Sequence, residues 1–136
     1  MKKLIIILAM SLPLPSKAMN NVECMTSAMY HEARGEGEQG MIAVAHAILN
    51  RSRKSHLSVC QTLRKRGQFS FVKRGNIRPV SQAYVLLALK AIRGYNRGID
   101  SSKGATFFVL HKCKPEWLKR MKRTVRVGQH SFYKEK

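Results

Sequence analysis

Two glycines set the course of this chain. Val22, Met25 and Met29 recur at helical spacing, and Glu32 falls three residues after Met29. This spacing predicts a helix over residues 22–33 with one apolar stripe. Gly35 and Gly37 then favour a break in the chain. Beyond them Met41, Ile42, Val44, Ala45, Ile48 and Leu49 make a wide apolar face. That face predicts a second, core helix over Glu38–Leu49, packed directly on the first. Glu32 sits on the apolar stripe at the buried end of the first helix. Desolvation there disfavours the anion and raises the pKa, as a general acid near neutral pH requires. The alternative is a solvated or salt-bridged glutamate, because perturbed carboxylates mark sites only in part.

His31-Glu32 begins like a zinc-protease helix, but the second His belongs at i+4, and that position is Gly35. No metal and no cofactor are expected. Glu38 is one candidate second carboxylate, and the other is Glu36, across the glycine bend from Glu32. Its other reading is structural, holding the loop through its backbone or Arg34.

A chain of 136 residues reads as one domain. It carries 26 basic against 7 acidic side chains, a formal charge of +19. Such an excess attracts polyanions and speeds encounter with them. The N-terminus reads as a secretory signal: Lys2 and Lys3, then apolar Leu4 to Met10, then Pro13 and Pro15. Ser16-Lys17-Ala18 fits the small-x-small rule, so cleavage is expected after Ala18, leaving 19–136 as the domain. The apolar run is shorter than the roughly 20 residues of a membrane span. An uncleaved anchor is the alternative. Export turns the charge toward envelope polymers, through peptide carboxylates and lipid phosphates, and away from nucleic acid. The partner is then an anionic wall or envelope polymer, met by a monomer in the periplasm or outside the cell.

Cys24, Cys60 and Cys113 are an odd set. Cys24 opens the first helix, and Cys60 lies about ten residues beyond the second. Antiparallel helices with a short return bring these two together, so a Cys24–Cys60 disulfide is expected, with Cys113 free. Three unpaired thiols are the alternative. His46, between Ile42 and Leu49, reads as a packed, hydrogen-bonded core histidine. Basic clusters at Arg51–Lys54 and Arg64–Arg66 flank a polar loop. Arg51 either pairs with an acid of the bend or is solvated. In Gln68-Phe69-Ser70-Phe71, Phe71 is expected inward and the Gln68-Phe69 pair on a cleft wall, where rings stack on sugar C–H faces and amides bind hydroxyls. A third helix over 82–93, with Ser81 as N-cap, is apolar nearly all round and reads as central and buried. Asp100 before Ser101 and Ser102 caps its own loop. Residues 105–110, 124–127 and 130–133 predict a small antiparallel sheet, and Pro115 begins a short helix. The fold class is therefore α+β, mainly helical, with its sheet in the C-terminal half.

The run His31-Glu32-Ala33-Arg34-Gly35-Glu36-Gly37-Glu38, continuing to Asn50-Arg51, resembles the signature of the SleB-type cell wall hydrolases. The likeness continues through Gln68-Phe69-Ser70, Asp100 with Gly104–Phe108, and Gly128–Tyr133. The resemblance implies a lysozyme-like, peptidoglycan-cleaving domain with Glu32 as the catalytic acid. It implies peptidoglycan glycan strands as substrate and places Gln68 and Phe69 near the site. His111, His130 and Tyr133 join them as candidate cleft residues. One acid/base suits a lytic transglycosylase that opens the bond between N-acetylmuramic acid and N-acetylglucosamine. Two carboxylates would suit a hydrolytic muramidase. A basic, non-catalytic wall-binding module would need the charge but not Glu32. A nucleic-acid binder would need no N-terminal processing.

Overall fold

A computed structural model describes residues 19–65, 69–73 and 80–136. Five helices precede a three-stranded sheet: α1 (Asn21–Ala33), α2 (Gly37–Ser55), α3 (Val59–Arg64), α4 (Ser70–Lys73) and α5 (Gln82–Asn96), then β1 (Phe107–Leu110), β2 (Met121–Val127) and β3 (His130–Glu135). A 3-10 helix at Glu116–Arg120 separates β1 from β2. The sheet is antiparallel in the order β1-β3-β2. The α+β class, mainly helical with its sheet in the C-terminal half, is the one the residue pattern predicts.

Asn20 starts α1 with a capping box: its side chain accepts from the Glu23 N–H while the Glu23 carboxylate accepts from the Asn20 N–H. The α1 stripe is buried, with Cys24, Met25, Ala28 and Met29 wholly inside. It packs against α2 and α5, and α2 packs against α5 in turn. Cys24 and Cys60 form a disulfide that fastens α3 to α1, closing a separation of 36 residues. Cys113 is free and exposed. His46 is buried in α2 and bridges two elements. One ring nitrogen lies 2.9 Å from the Ala91 carbonyl, and the other accepts from the Ser101 N–H at 2.8 Å.

Two expectations fail. The α2 helix runs to Ser55 rather than ending near Leu49, and α3 replaces much of the expected loop. The Arg51–Lys54 cluster reads as a loop by charge alone, yet Arg and Lys are good helix formers, and cations near a helix C-terminus are favoured by its dipole. The apolar α5 is not central. Only Ala88 and Ala91 are fully buried, and Leu86 is 59% exposed. One flank of the helix pair α1–α2 is enough to bury half of α5, and nothing in the described residues covers the rest. No described helix is long and apolar enough to cross a membrane.

Candidate active site

The end of α1, the second half of α2 and the start of β1 meet around Glu32 and Arg51. Glu32 is half-buried. Burial raises its pKa above the ordinary 4.5, and the positive charge of Arg51 partly opposes the rise. Burial in turn lowers the Arg51 guanidinium to about 10, while Glu32 supports its charge. Arg51 is held on three sides. Its Nε donates to the Thr106 carbonyl at 2.7 Å, and its guanidinium lies over the rings of Phe107 at 4.7 Å and Phe69 at 5.2 Å. A planar cation between two aromatic faces is a fixed charge rather than a swinging one.

Arg51 forms part of the wall of an open groove of about 650 Å³, with Phe107, Phe108, Val109, Trp117, Arg120, Met121 and Glu135. A smaller hollow of about 250 Å³ adjoins it, sharing Arg51, Phe107 and Glu135 and adding Thr106 and Lys65. Thr106 Oγ1 is buried and has no hydrogen-bond partner among the described residues. Glu135 lies at the edge of both and pairs with Lys54 at 2.8 Å. The hydrogen bond and charge of Lys54 hold its pKa below the usual value.

A polar network fixes this wall. Asn50, one residue before Arg51, donates to Asp100 Oδ2, Ser102 Oγ and the Ala105 carbonyl, and its own carbonyl accepts from the Tyr95 hydroxyl. Asp100 also accepts from the Ser102 and Gly104 N–H groups. Burial alone would raise the Asp100 pKa, but the hydrogen bonds from Ser102, Asn50 and Gly104 outweigh it and hold it low. Asp100 thus caps its loop, and through Asn50 it seats Thr106 and Phe107 beside Arg51. Of the two readings open for Arg51, pairing with an acid near the bend or solvation, the structure has the first, with Glu32 as the acid; Asn50 had no functional reading, and its position on the apolar–polar boundary of α2 was the available signal.

Glu36 is structural, but not through Arg34, which donates to the Tyr30 hydroxyl instead. Its Oε2 accepts from the Gln129 N–H at 2.8 Å, and its Oε1 lies 2.9 Å from His130 Nδ1. Both side chains are only 5% exposed. The Glu36 carboxyl therefore ties the bend after α1 to the β2–β3 turn, with no free oxygen left for chemistry. Burial lowers the His130 pKa more than Glu36 raises it.

The other candidates separate. His130 is not a cleft residue: it is buried against Phe108 and Phe132. Tyr133 is buried behind the groove, its ring edge-on to Trp117. Phe69 is not an open wall; it is buried beneath Arg51, touching Phe71 and Phe108. Phe71 points inward as expected and stacks on His31 at 4.7 Å. Rings in a small domain are drawn inward by their area, and here a cation covers the one nearest the surface. His111 lies at the far end of β1, beside a separate hollow. Gln68 lies outside the described residues. Of the seven carboxylates, Glu23, Glu36, Glu38, Asp100, Glu116 and Glu135 each have a hydrogen-bond or ion-pair partner. Among the described residues Glu32 stands apart, its pKa set by burial and by the charge of Arg51.

A sequence profile described as Cell Wall Hydrolase matches residues 35–133. The match begins three residues after Glu32. A curated relative, the spore cortex-lytic enzyme of Halalkalibacterium halodurans, is 31% identical over 116 residues, which is 83% of this chain. The chain spans about a third of that relative's length, 34%. Among solved structures, the catalytic domain of the germination-specific lytic transglycosylase SleB from Bacillus anthracis superposes with a TM-score of 0.72 at 26% identity, covering 89% of this chain and 99% of that one. The SleB catalytic domain of Bacillus cereus gives 0.71, also at 26% identity, with 89% and 94% covered.

Proposed function

The chain belongs to the cell wall hydrolase family, and from that premise we propose that it degrades peptidoglycan as a lytic transglycosylase with Glu32 as its single acid/base. The observation that carries this reading is the half-buried Glu32 carboxyl, its pKa raised by burial and partly opposed by the charge of Arg51, which is itself a wall residue of the aromatic groove. A raised pKa keeps the carboxyl protonated closer to neutrality, which a leaving-group acid needs. Glu32 gives its proton to the oxygen between N-acetylmuramic acid and N-acetylglucosamine as the C1–O bond breaks. The muramyl C6 hydroxyl then attacks C1 of the same sugar, and its proton returns to Glu32. The product is a 1,6-anhydro ring, and no water is consumed. Phe107 and Trp117 supply apolar faces for the sugars, and the Thr106 hydroxyl and Arg51 supply polar contacts. The fixed Arg51 charge limits how far burial lifts Glu32, so that it can still give up its proton. The similarity to a domain described as a lytic transglycosylase and the partners held by the other carboxylates both support the single-acid route.

One observation favours a second reading. Glu135 stands on the groove edge and is held ionised by Lys54. A hydrolytic muramidase could use it as the base that activates water. Glu32→Gln in a zymogram on purified sacculi tests the acid; full residual lysis would remove Glu32 from the role. Mass analysis of the released muropeptides decides the reaction. Anhydro ends, retained in Glu135→Gln, support the transglycosylase; reducing muramic ends, lost in Glu135→Gln, support the hydrolase. The substrate lies outside the cytoplasm, which is where a cleaved signal at 1–18 would deliver residues 19–136.

A further inference from the structure

The sheet has two ends. The groove occupies the end formed by the starts of β1 and β2 and the end of β3. At the other end lies a hollow of about 150 Å³ formed by Leu110, His111, Lys112, Arg126 and Gln129. His111 is fixed there. Its Nδ1 lies 2.7 Å from the hydroxyl of wholly buried Ser131, and its backbone N–H donates to the Gln129 carbonyl at 2.6 Å. Its Nε2 has no partner among the described residues. Arg126 spends only Nε, on the Gly128 carbonyl at 3.3 Å. Arg123, Lys112 and Lys114 are exposed, and among the described residues none has a carboxylate partner. Glu36, which reaches this part of the fold, is turned to His130 and the Gln129 N–H.

We propose that this end of the sheet is an anion-binding site, separate from the groove, that takes the phosphodiester groups of a polyol-phosphate chain of the cell envelope. The reasons are chemical. Lys112 and Arg126 line the hollow beside an oriented imidazole, Lys114 and Arg123 lie near enough to act on that ring's charge, and none of the four has a carboxylate partner among the described residues. Arginine forks and lysine point charges suit phosphate oxygens. Unfilled positive potential is also felt by the histidine: burial lowers the His111 pKa, and Arg126, Lys114 and Arg123 lower it further. Binding of an anion must therefore raise it, which gives the site its own reporter. Tethering at one end of the sheet while the groove at the other end meets the glycan would hold the enzyme on its wall.

The test is an NMR titration of His111 in the full domain, with and without a synthetic glycerol-phosphate oligomer. The His111 pKa should rise, with shift changes confined to residues 110–114 and 123–129. The paired substitution Arg126→Gln with Lys112→Gln should weaken binding about tenfold and reduce its salt dependence. Lysis of sacculi stripped of phosphate polymers should be unchanged in that variant. An unmoved His111 pKa at saturating oligomer would overturn the site. An equal response to a glutamate-rich peptide of the same charge would overturn the phosphate preference. Tighter binding of a single-stranded oligonucleotide at these residues would overturn the envelope polymer as occupant. None of these readings involves Glu32, so the site and the lytic reaction stand or fall separately.

Discussion

Gly128→Ala tests the Glu36 tie, and Gly104→Ala is its control. Both glycines have positive φ, 58° and 84°. An alanine pays about 1–2 kcal/mol at such a position whatever surrounds it. Around Gly104 an added Cβ meets nothing within 4 Å. At Gly128 it lands on Glu36 Oε2. The carboxyl is the far end of a flexible side chain and can swing away, but only by leaving the Gln129 N–H and His130. Hydrogen bonds to a charged group contribute about 1.5–3 kcal/mol each. Losing one and weakening the other costs about 2–3 kcal/mol beyond the backbone strain. At about 4 °C per kcal/mol for a domain of this size, Gly128→Ala should melt roughly 10 °C below Gly104→Ala. Thermal unfolding followed by circular dichroism reads this directly. In a Glu36→Ala background the extra loss should vanish, since nothing remains to collide. Equal melting of the two glycine variants, or a Gly128 penalty that persists without Glu36, would refute the reasoning.

Three further outcomes follow from the titrating groups and the disulfide. Glu32 has a raised folded pKa, so the folded state holds its proton above the ordinary 4.5, and stability declines as pH rises through the folded value. Glu32→Gln should therefore melt higher than wild type near pH 8 and equally at about pH 4, while losing lysis. His130 has a depressed folded pKa, so the unfolded state binds the extra proton. Stability should fall as pH drops from about 6.5 toward the folded value, and His130→Asn should flatten that limb in a melting series. Replacing Cys24 and Cys60 with alanine should destabilise the domain by about 4 kcal/mol in denaturant titrations, the chain-entropy value for a separation of 36 residues.

The α1–α2 core and the place of Glu32 on it were legible in the sequence, because a 3.6-residue period survives folding unchanged. The disulfide followed from the same two helices. The sheet was legible from alternation, and the loop role of Asp100 from its serine neighbours. What the sequence alone could not carry was the partner of each polar group. Arg51 sat in a basic cluster like the others around it. Only the return of β1 beside α2 made it a cation between two rings, facing an acid 19 positions earlier in the chain. His130 and Tyr133 were candidate cleft residues because they lie in the Gly128–Tyr133 block that carries the family resemblance. Their burial was decided by the place of β3 as the central strand, with Phe108 and Glu36 against His130 and Trp117 against Tyr133. Glu36 met His130 across 94 positions of sequence. Periodicity is a property of neighbouring residues, so the sequence by itself determined the α1–α2 core, the strands and the place of Glu32 on that core. Charge pairing and burial depend on distances between remote segments, so only the tertiary structure decided which cation the acid meets.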